Sequence, residues 1–205
     1  MEAVAEGLRE RKKRKTREAI VDAAMSLFAE KGFDATTIAD IADRAEIAPR
    51  TFFAYFPSKD DVVFSDFAEA LASMRERFAS RAAGEDAIDA LRGWIATMVE
   101  GMDLSDERKA CQHALIRENA DLADHDRALR GHFEEELVGA LREDFGERGD
   151  RDVRARMVAA AAVSALAALD DDHASMSEGA EDDPMAIVDD ALAFVRGGIA
   201  ALERR

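Results

Sequence analysis

The chain has 205 residues, of which 48% are hydrophobic, 12 are glycine and 3 are proline, so it can bury a substantial core and favours long helices over a many-stranded sheet. Residues 1–14 lack the apolar core of a signal peptide, and the longest uncharged apolar run, residues 157–169, is shorter than the roughly 20 residues that a bilayer span needs. Cys111 is the single cysteine, so no internal disulfide can form. We therefore expect a cytoplasmic protein without a membrane segment.

The net charge of −16 is distributed unevenly along the chain. Residues 1–60 hold 11 basic and 11 acidic side chains, whereas residues 61–205 hold 17 basic and 33 acidic ones. Seven of the bases lie between Arg9 and Arg17, with a single acid among them. A chain whose positive charge is concentrated at one end can place that end on nucleic-acid phosphate while the remainder is repelled. The alternative is a basic tail that is simply solvated. The motif that follows the basic run favours the interpretation that these residues bind phosphate.

The first helix is predicted from Thr16 onward, because the apolar residues from Ile20 to Phe28 fall on one face at helical spacing. Gly32 is placed to end this helix as a C-terminal cap, and Phe33 is placed to fold back on it.

A second, short helix is predicted from Thr37 to Ala45, since Thr37 and Asp40 three residues later form a capping box. After a three-residue turn, Pro49 suits the first position of a third helix, where its missing N–H costs nothing. Pro57 cannot continue that helix, which therefore ends by residue 56. Two short helices joined by such a turn match a helix-turn-helix.

The rest of the chain is also predicted to be helical, so the fold class is all-α. Ser58 caps a fourth helix that Gly84 breaks, with apolar residues every three or four positions up to Phe78. An acidic stretch, residues 170–183, is predicted to be a loop between the last two helices. The later helices are predicted at residues 86–102, 106–119, 125–145, 151–169 and 184–203.

The third helix is the one expected to enter the major groove of DNA and to offer the side chains near its start to base edges. Phe52 and Phe56 lie four residues apart and are expected to pack inward. Arg50 can then bond a guanine through its planar fork, and Phe53 can press on a thymine methyl group. The other outward residues are Thr51 and Tyr55, which can donate to phosphates, and Ala54.

Residues 36–61, TTIADIADRAEIAPRTFFAYFPSKDD, closely resemble the DNA-binding domain of the TetR family of bacterial regulators. That family has a second helix capped by two threonines, a Thr-aromatic-aromatic recognition helix and a Pro-Ser-Lys opening of helix four. The similarity extends over roughly residues 12–65. It implies DNA contacts by Arg14, Lys15, Thr37, Ala48, Pro49, Arg50, Thr51, Phe53, Ala54, Tyr55 and Lys59, with Thr37 and Lys59 on phosphates.

Glu46 departs from the family pattern, because many members have glycine at this place in the turn. A non-glycine residue with a positive φ costs on the order of 1 kcal/mol. The surrounding core can absorb that cost, so we expect a strained but intact turn.

The resemblance implies three parts: a basic N-terminal arm of residues 1–15, a helix-turn-helix DNA-binding domain of residues 16–60, and a helical C-terminal domain of residues 61–205. The C-terminal domain is implied to bind a ligand and to form a dimer through its last two helices. The segment that begins at Ile116 is similar to mycofactocin-system regulators and other actinobacterial members of the family. No cofactor and no catalysis are implied.

Residues 157–169 are apolar around the whole helical circumference, which predicts burial on all sides. Together with the apolar stripe of residues 184–202, they are expected to form a four-helix interface in a homodimer. The alternative is that both helices complete the core of a monomer.

An apolar pocket is expected in the C-terminal domain, because that domain is acidic and an anion would enter against its field. Flexible methionines also suit an adaptable apolar site. We therefore expect a hydrophobic or amphipathic effector. The candidate lining residues, each of which can instead be plain core, are Trp94, Met98, Met102, Cys111, Leu115 and Phe133. Because His113, His125 and His132 form no Glu-x-x-His or His-Glu-x-x-His motif, no metal site is expected.

The sequence thus predicts a ligand-responsive repressor that binds a palindromic operator in double-stranded DNA as a homodimer. Two alternatives remain open: an all-helical enzyme or small-molecule carrier with a vestigial N-terminal motif, and a helical protein–protein adaptor. Against the enzyme, the sequence has no Gly-rich phosphate loop, no Gly-x-Ser-x-Gly motif and no metal-ligand cluster.

Overall fold

The computed structural model describes residues 7–101, 107–147, 149–176 and 183–203. Within these ranges the chain forms ten α-helices and no β-strand, which confirms the all-α prediction. The helices are α1 (Leu8–Lys31), α2 (Ile38–Arg44), α3 (Pro49–Phe52), α4 (Asp60–Val63), α5 (Phe67–Ala79), α6 (Ala87–Glu100), α7 (Glu107–Glu118), α8 (Ala120–Phe145), α9 (Arg151–Met176) and α10 (Pro184–Glu203).

The described residues divide into two compact units. The first unit takes those up to Phe67 together with those of Leu104–Asp126. The second takes those of Ala68–Asp103 and of Arg127–Arg205. Chain order alone did not indicate that α7 and the start of α8 join the N-terminal unit.

The core of the first unit forms where α1 packs against α2, α4 and α7. Ile20, Ala24 and Phe28 follow one another at four-residue spacing on α1 and are buried there, as the apolar periodicity predicted. Leu122 at the start of α8 is fully buried in the same cluster. Each fully buried aliphatic or aromatic side chain of this kind contributes about 1.5–3 kcal/mol to folding.

The core of the second unit joins α5, α6, α8, α9 and α10. Ala155, Ala159 and Ala162 on α9 are fully buried, and their small side chains let α10 approach closely. Arg196 on α10 pairs with Asp86 at 2.7 Å, at the start of α6. This ion pair is exposed, so its net contribution to the free energy of unfolding is small.

Helix α1 begins at Leu8, eight residues before the predicted start at Thr16. The basic run from Arg9 to Lys15, predicted as an arm, is therefore part of a continuous helix. Apolar periodicity could not reveal this extension, because its side chains are exposed all round. Arginine, lysine and glutamate nevertheless favour helix.

The predicted fourth helix is interrupted, so that α4 ends at Val63 and α5 begins at Phe67. The amide of Gln112 donates to the Val63 carbonyl and the guanidinium of Arg17 donates to the Ser65 carbonyl. These side chains satisfy backbone groups at the interruption. Both partners are distant in sequence, so no local pattern predicted the break.

Three other boundaries differ from the prediction. Helix α3 ends at Phe52, because the next residues form tighter bonds to carbonyls three residues back. Helix α8 begins five residues before the expected His125, since the Asn119 side chain accepts from the first N–H groups of the helix. Helix α9 runs to Met176 through part of the predicted loop, where neither glycine nor proline stops it. Residues 177–182 lie outside the described ranges.

Candidate nucleic-acid interface

The turn between α2 and α3 closes with a Schellman motif. The Ile47 N–H donates to the Ala42 carbonyl at 2.9 Å, and the Glu46 N–H donates to the Asp43 carbonyl at 3.1 Å. This pair of bonds is typical of a helix that ends in a left-handed residue. Glu46 is that residue, with a φ of 54°, and it is the one non-glycine with positive φ in the described ranges. The strain expected from the sequence is therefore confirmed.

The recognition segment, residues 48–56, begins as predicted. Ala48 is extended and precedes Pro49, which occupies the first turn of α3. Phe52 is fully buried and Phe56 is almost so, with their ring centroids 6.0 Å apart. The two inward-facing rings predicted from their spacing are therefore confirmed, and they fix this segment on the core of the first unit.

The outward side of the recognition segment carries most of the predicted DNA contacts. Phe53 is 56% exposed, although its ring meets Phe52 edge-on at 5.6 Å. Ala48, Pro49, Arg50 and Ala54 are also exposed, while Thr51 and Tyr55 are half-buried. One surface thus combines a guanidinium, two hydroxyl groups and an exposed aromatic ring.

Thr37 caps α2 in the predicted capping box. Its hydroxyl accepts from the Asp40 N–H at 3.2 Å, and its own N–H donates to the Asp40 carboxylate at 2.8 Å. Lys31 reaches the same carboxylate at 2.7 Å. The Lys31 ammonium and then the Thr37 hydroxyl hold the pKa of Asp40 far below its ordinary value.

Lys59, predicted to clamp a phosphate, lies half-buried against the link between α1 and α2. Its ammonium donates to the carbonyls of Phe33 and Thr36 at 2.7 and 3.4 Å. It also lies 4.1 Å from the centroid of the Phe33 ring. An ammonium has three donors, so two internal bonds leave one for a phosphate.

Arg14 and Lys15 are exposed on the N-terminal extension of α1. Arg14 also pairs with Glu18 one turn later, at 3.3 Å. The two predicted contacts therefore stand on a helix that continues into the core of the first unit.

Two cations that the sequence analysis did not single out hold this unit together. The Arg17 guanidinium lies 4.9 Å from the centroid of the Phe56 ring, which links α1 to the recognition segment. Arg44 of α2 makes two bonds of 2.9 Å to the Glu30 carboxylate of α1. Both contacts join residues far apart in the chain, so local spacing gives no signal for them.

The predicted pocket residues that the structure describes are divided between the two units. Trp94 and Phe133 pack with ring centroids 5.6 Å apart, and the Trp94 N–H donates to Ser73 at 2.8 Å. Cys111 and Leu115 instead pack against the core of the first unit. That packing follows from the position of α7, which chain order did not predict. Met98, at the surface of α6, is exposed, and Met102 lies outside the described residues.

Helices α9 and α10 expose apolar side chains within the second unit. Val153, Met157 and Phe194 are 62%, 55% and 77% exposed. The prediction that residues 157–169 are buried on all sides is therefore wrong for a single chain. The buried alanines of α9 face α10, while the opposite side of the helix remains open to solvent.

The histidines considered for a metal site are not gathered into one. His125 packs on the Phe64 ring, with centroids 4.7 Å apart, and His113 and His132 are exposed. Across the described part of the chain, no three His, Cys, Asp or Glu side chains come together in a metal-ligating group. Among these same residues, no helix is both long enough and apolar enough to span a membrane.

The fold and the recognition segment define the class: a helical protein with an N-terminal helix-turn-helix. Residues 20–65 match the family model of bacterial regulatory proteins of the tetR family. The HTH-type transcriptional regulator TcmR of Streptomyces glaucescens is 37% identical over 87 residues, which are 42% of this chain and 38% of TcmR. The chain thus spans less than half the length of such curated relatives.

Two solved structures share the fold over most of both chains. FadR of Thermus thermophilus, a TetR-family transcriptional repressor in complex with lauroyl-CoA, is 25% identical with a TM-score of 0.55, covering 87% of this chain and 92% of its own. The complex of SmeT with triclosan is 25% identical with a TM-score of 0.57, covering 87% and 90%. SmeT is a multidrug efflux pump repressor of Stenotrophomonas maltophilia. Residues 20–65 are thus similar to the tetR family of bacterial regulatory proteins, and the described helices share the fold of these two repressors.

Proposed function

We propose that this chain is a ligand-responsive transcriptional repressor that binds a palindromic operator as a homodimer and leaves it when a hydrophobic or amphipathic ligand binds. The proposal rests on the recognition segment having one buried side and one exposed side. Phe52 and Phe56 anchor it in the core, while Arg50 and Phe53 face solvent. A rigidly held helix start with exposed polar and aromatic groups suits the major groove.

Each exposed residue has a specific role in the bound state. Arg50 bonds the O6 and N7 acceptors of a guanine, and Phe53 contacts a thymine methyl group. Ala48, Pro49 and Ala54 allow the backbone to approach the groove closely. Phosphates are bonded by Thr51, Tyr55 and the remaining donor of Lys59, and these contacts position the segment without reading sequence. The Thr37 hydroxyl donates to the Asp40 carboxylate in the free chain, so it must leave that carboxylate to bond a phosphate.

The basic extension of α1 supplies charge for phosphate binding. Arg14, Lys15 and the neighbouring bases are presented on a formed helix, so they lose less conformational freedom on binding than a disordered arm would. Each phosphate that they neutralise makes binding more dependent on salt.

The partner of the exposed α9–α10 surface is a second copy of the chain. Of the six large hydrophobic residues that are exposed in the described ranges, Val153, Met157 and Phe194 lie on these two helices. A two-fold axis brings the same patch of each copy together and buries it. The two copies would then present their recognition segments to half-sites about one helical turn, ~34 Å, apart.

The effector that we propose is apolar or amphipathic and binds the second unit. Trp94 and Phe133 form a partly buried aromatic pair there, in the acidic part of the chain. The binding of lauroyl-CoA by FadR and of triclosan by SmeT supports this ligand class. A ligand that favours a different separation of the two recognition segments lowers the DNA affinity of the dimer. The loss of binding free energy can be at most the difference between the ligand's binding free energies to the DNA-competent and DNA-incompetent conformations.

Repeated selection of DNA from a random-sequence pool tests the function. The full chain is incubated with the pool, the shifted band is recovered and amplified, and the affinity of the pool is measured after each round. A sequence-specific regulator enriches the pool, so the affinity rises over the rounds. A carrier, an enzyme or a protein adaptor leaves the affinity of the pool unchanged, which would refute the proposal.

Emission from Trp94, the single tryptophan, tests the ligand class. Titration with lauroyl-CoA, triclosan and other apolar compounds should change this emission, and the same compounds should release the selected DNA. If divalent metals or polar metabolites release the DNA and apolar compounds leave the Trp94 emission unchanged, the proposed ligand class is wrong. The proposed DNA binding is not affected by that result.

A further inference from the structure

Glu46 brings a negative charge next to the recognition segment. Ala48 is two positions after Glu46, so their Cα atoms are at most about 7 Å apart. The Glu46 side chain is exposed and its backbone is held by the Schellman motif. The Glu46 backbone therefore has a defined place, and its exposed carboxylate extends from a position two residues before the residues expected in the groove, an expectation that rests on the proposed function.

The backbone of this turn does not require glutamate. A φ of 54° is the conformation in which glycine is unstrained and in which asparagine and aspartate are enriched. Backbone strain that persists at a surface turn points from the outlier to a function of the side chain. The distinctive property of this side chain is its charge.

Phosphates line both sides of the major groove, with one charge per ~1.7 Å of duplex axis. A carboxylate within about one Debye length of them, ~8 Å at physiological salt, is repelled. The repulsion acts on DNA of any sequence, because phosphates carry no sequence information. This repulsion offsets the attraction between the basic α1 side chains and the phosphates. Binding then depends more on contacts with the edges of the nucleobases.

We propose that Glu46 is a negative determinant of DNA binding: its carboxylate repels the phosphates beside the groove and weakens binding to DNA of every sequence. Arg50 and the basic α1 extension attract DNA, whereas Glu46 limits the affinity that charge alone can supply. Occupancy of non-operator DNA is thereby kept low.

Two isosteric pairs separate charge from backbone strain. Glu46→Asp and Glu46→Asn both suit a left-handed residue and differ in charge, while Glu46→Gln keeps the length of the parent side chain and removes its charge. Affinity is measured for the selected operator duplex and for a random-sequence duplex of equal length, from low to high salt. Equal thermal unfolding of the Asp and Asn variants checks that the turn is intact in both.

The Asn variant is expected to bind both duplexes about two- to fourfold more tightly than the Asp variant at low salt. The same gain is expected for Gln over the parent, and both gains should vanish near 1 M salt, where the Debye length is about 3 Å. Equal affinities within each pair would overturn the proposal, as would a salt-independent gain confined to the operator. If the parent binds no DNA, the proposed function itself fails.

Discussion

Within the recognition segment, neighbouring side chains face in opposite directions, one into the core and the next into solvent. Phe52 is enclosed by the core while Phe53, the next residue, is more than half exposed. Arg17 adds a cation over the Phe56 ring, so the anchoring side of the segment is held from α1 as well. Of the outward residues, Arg50 and Ala54 are exposed and can be substituted without loss of core packing.

Replacement of Arg50 by alanine tests the groove contact. The guanidinium is exposed, so its loss should leave stability unchanged. Discrimination at one base position should fall by about 1–3 kcal/mol, because the bidentate bond to guanine is lost. Competition binding with operators altered at single positions measures this loss.

Lys15→Ala is the matched control, since Lys15 is exposed on α1 and is expected to bind a phosphate. It should weaken binding to all sequences alike and reduce the salt slope by about one unit. Lys59→Ala is a poorer control, because it also removes the bonds to Phe33 and Thr36. An unchanged consensus for Arg50→Ala would place the groove contact elsewhere.

At the scale of helices, the boundaries that follow from local capping were predictable. The capping box of Thr37 with Asp40 and the cap at Gly32 were both recognised from their spacing. The break after Val63 was not, because it depends on side chains from α1 and α7. Likewise the expected DNA contacts were predicted from an ordered local motif, whereas the helix packing around Cys111 and Leu115 depends on which helices meet.

The ion pair between α1 and α2 gives a prediction in pH. The hydrogen bond from Arg44, followed by that from Ser26, lowers the pKa of Glu30 to about 2. Because the pKa is lower in the folded state, the ionised Glu30 carboxylate stabilises the fold at pH values above its ordinary pKa of 4.5. This contribution is lost as the pH falls towards about 2. Carbon NMR titration of the Glu30 carboxyl measures the pKa directly.

Arg44→Met should return the pKa of Glu30 most of the way to its ordinary value. Ser26→Ala should raise it less, because the Arg44 bond is the larger cause. The same low pKa in the Arg44→Met variant would show that α1 and α2 are not joined by this pair.

At the scale of the whole molecule, we expect two copies of the chain to bind the operator together. Gly198 is exposed on α10, and a Cβ added there meets no atom within 4 Å. Gly198→Arg is therefore tolerated by a single chain but inserts a charge between two copies. The variant should sediment as a monomer and bind the operator poorly.

Gly139→Arg on α8 makes the same change outside the proposed interface, again where a Cβ meets no atom within 4 Å. It should remain a dimer with parental operator affinity. An unchanged dimer for Gly198→Arg would move the interface away from α10.

Sequence-specific DNA binding by the two recognition segments of a homodimer is tested by sequencing the DNA that the full chain selects. We expect a palindromic consensus whose half-sites have centres about 10 base pairs apart, or a multiple of that turn. Each half-site should contain a guanine that the Arg50→Ala variant no longer requires. A pool without a shared palindrome, or with a single unrepeated half-site, would show that the chain does not bind DNA as such a dimer.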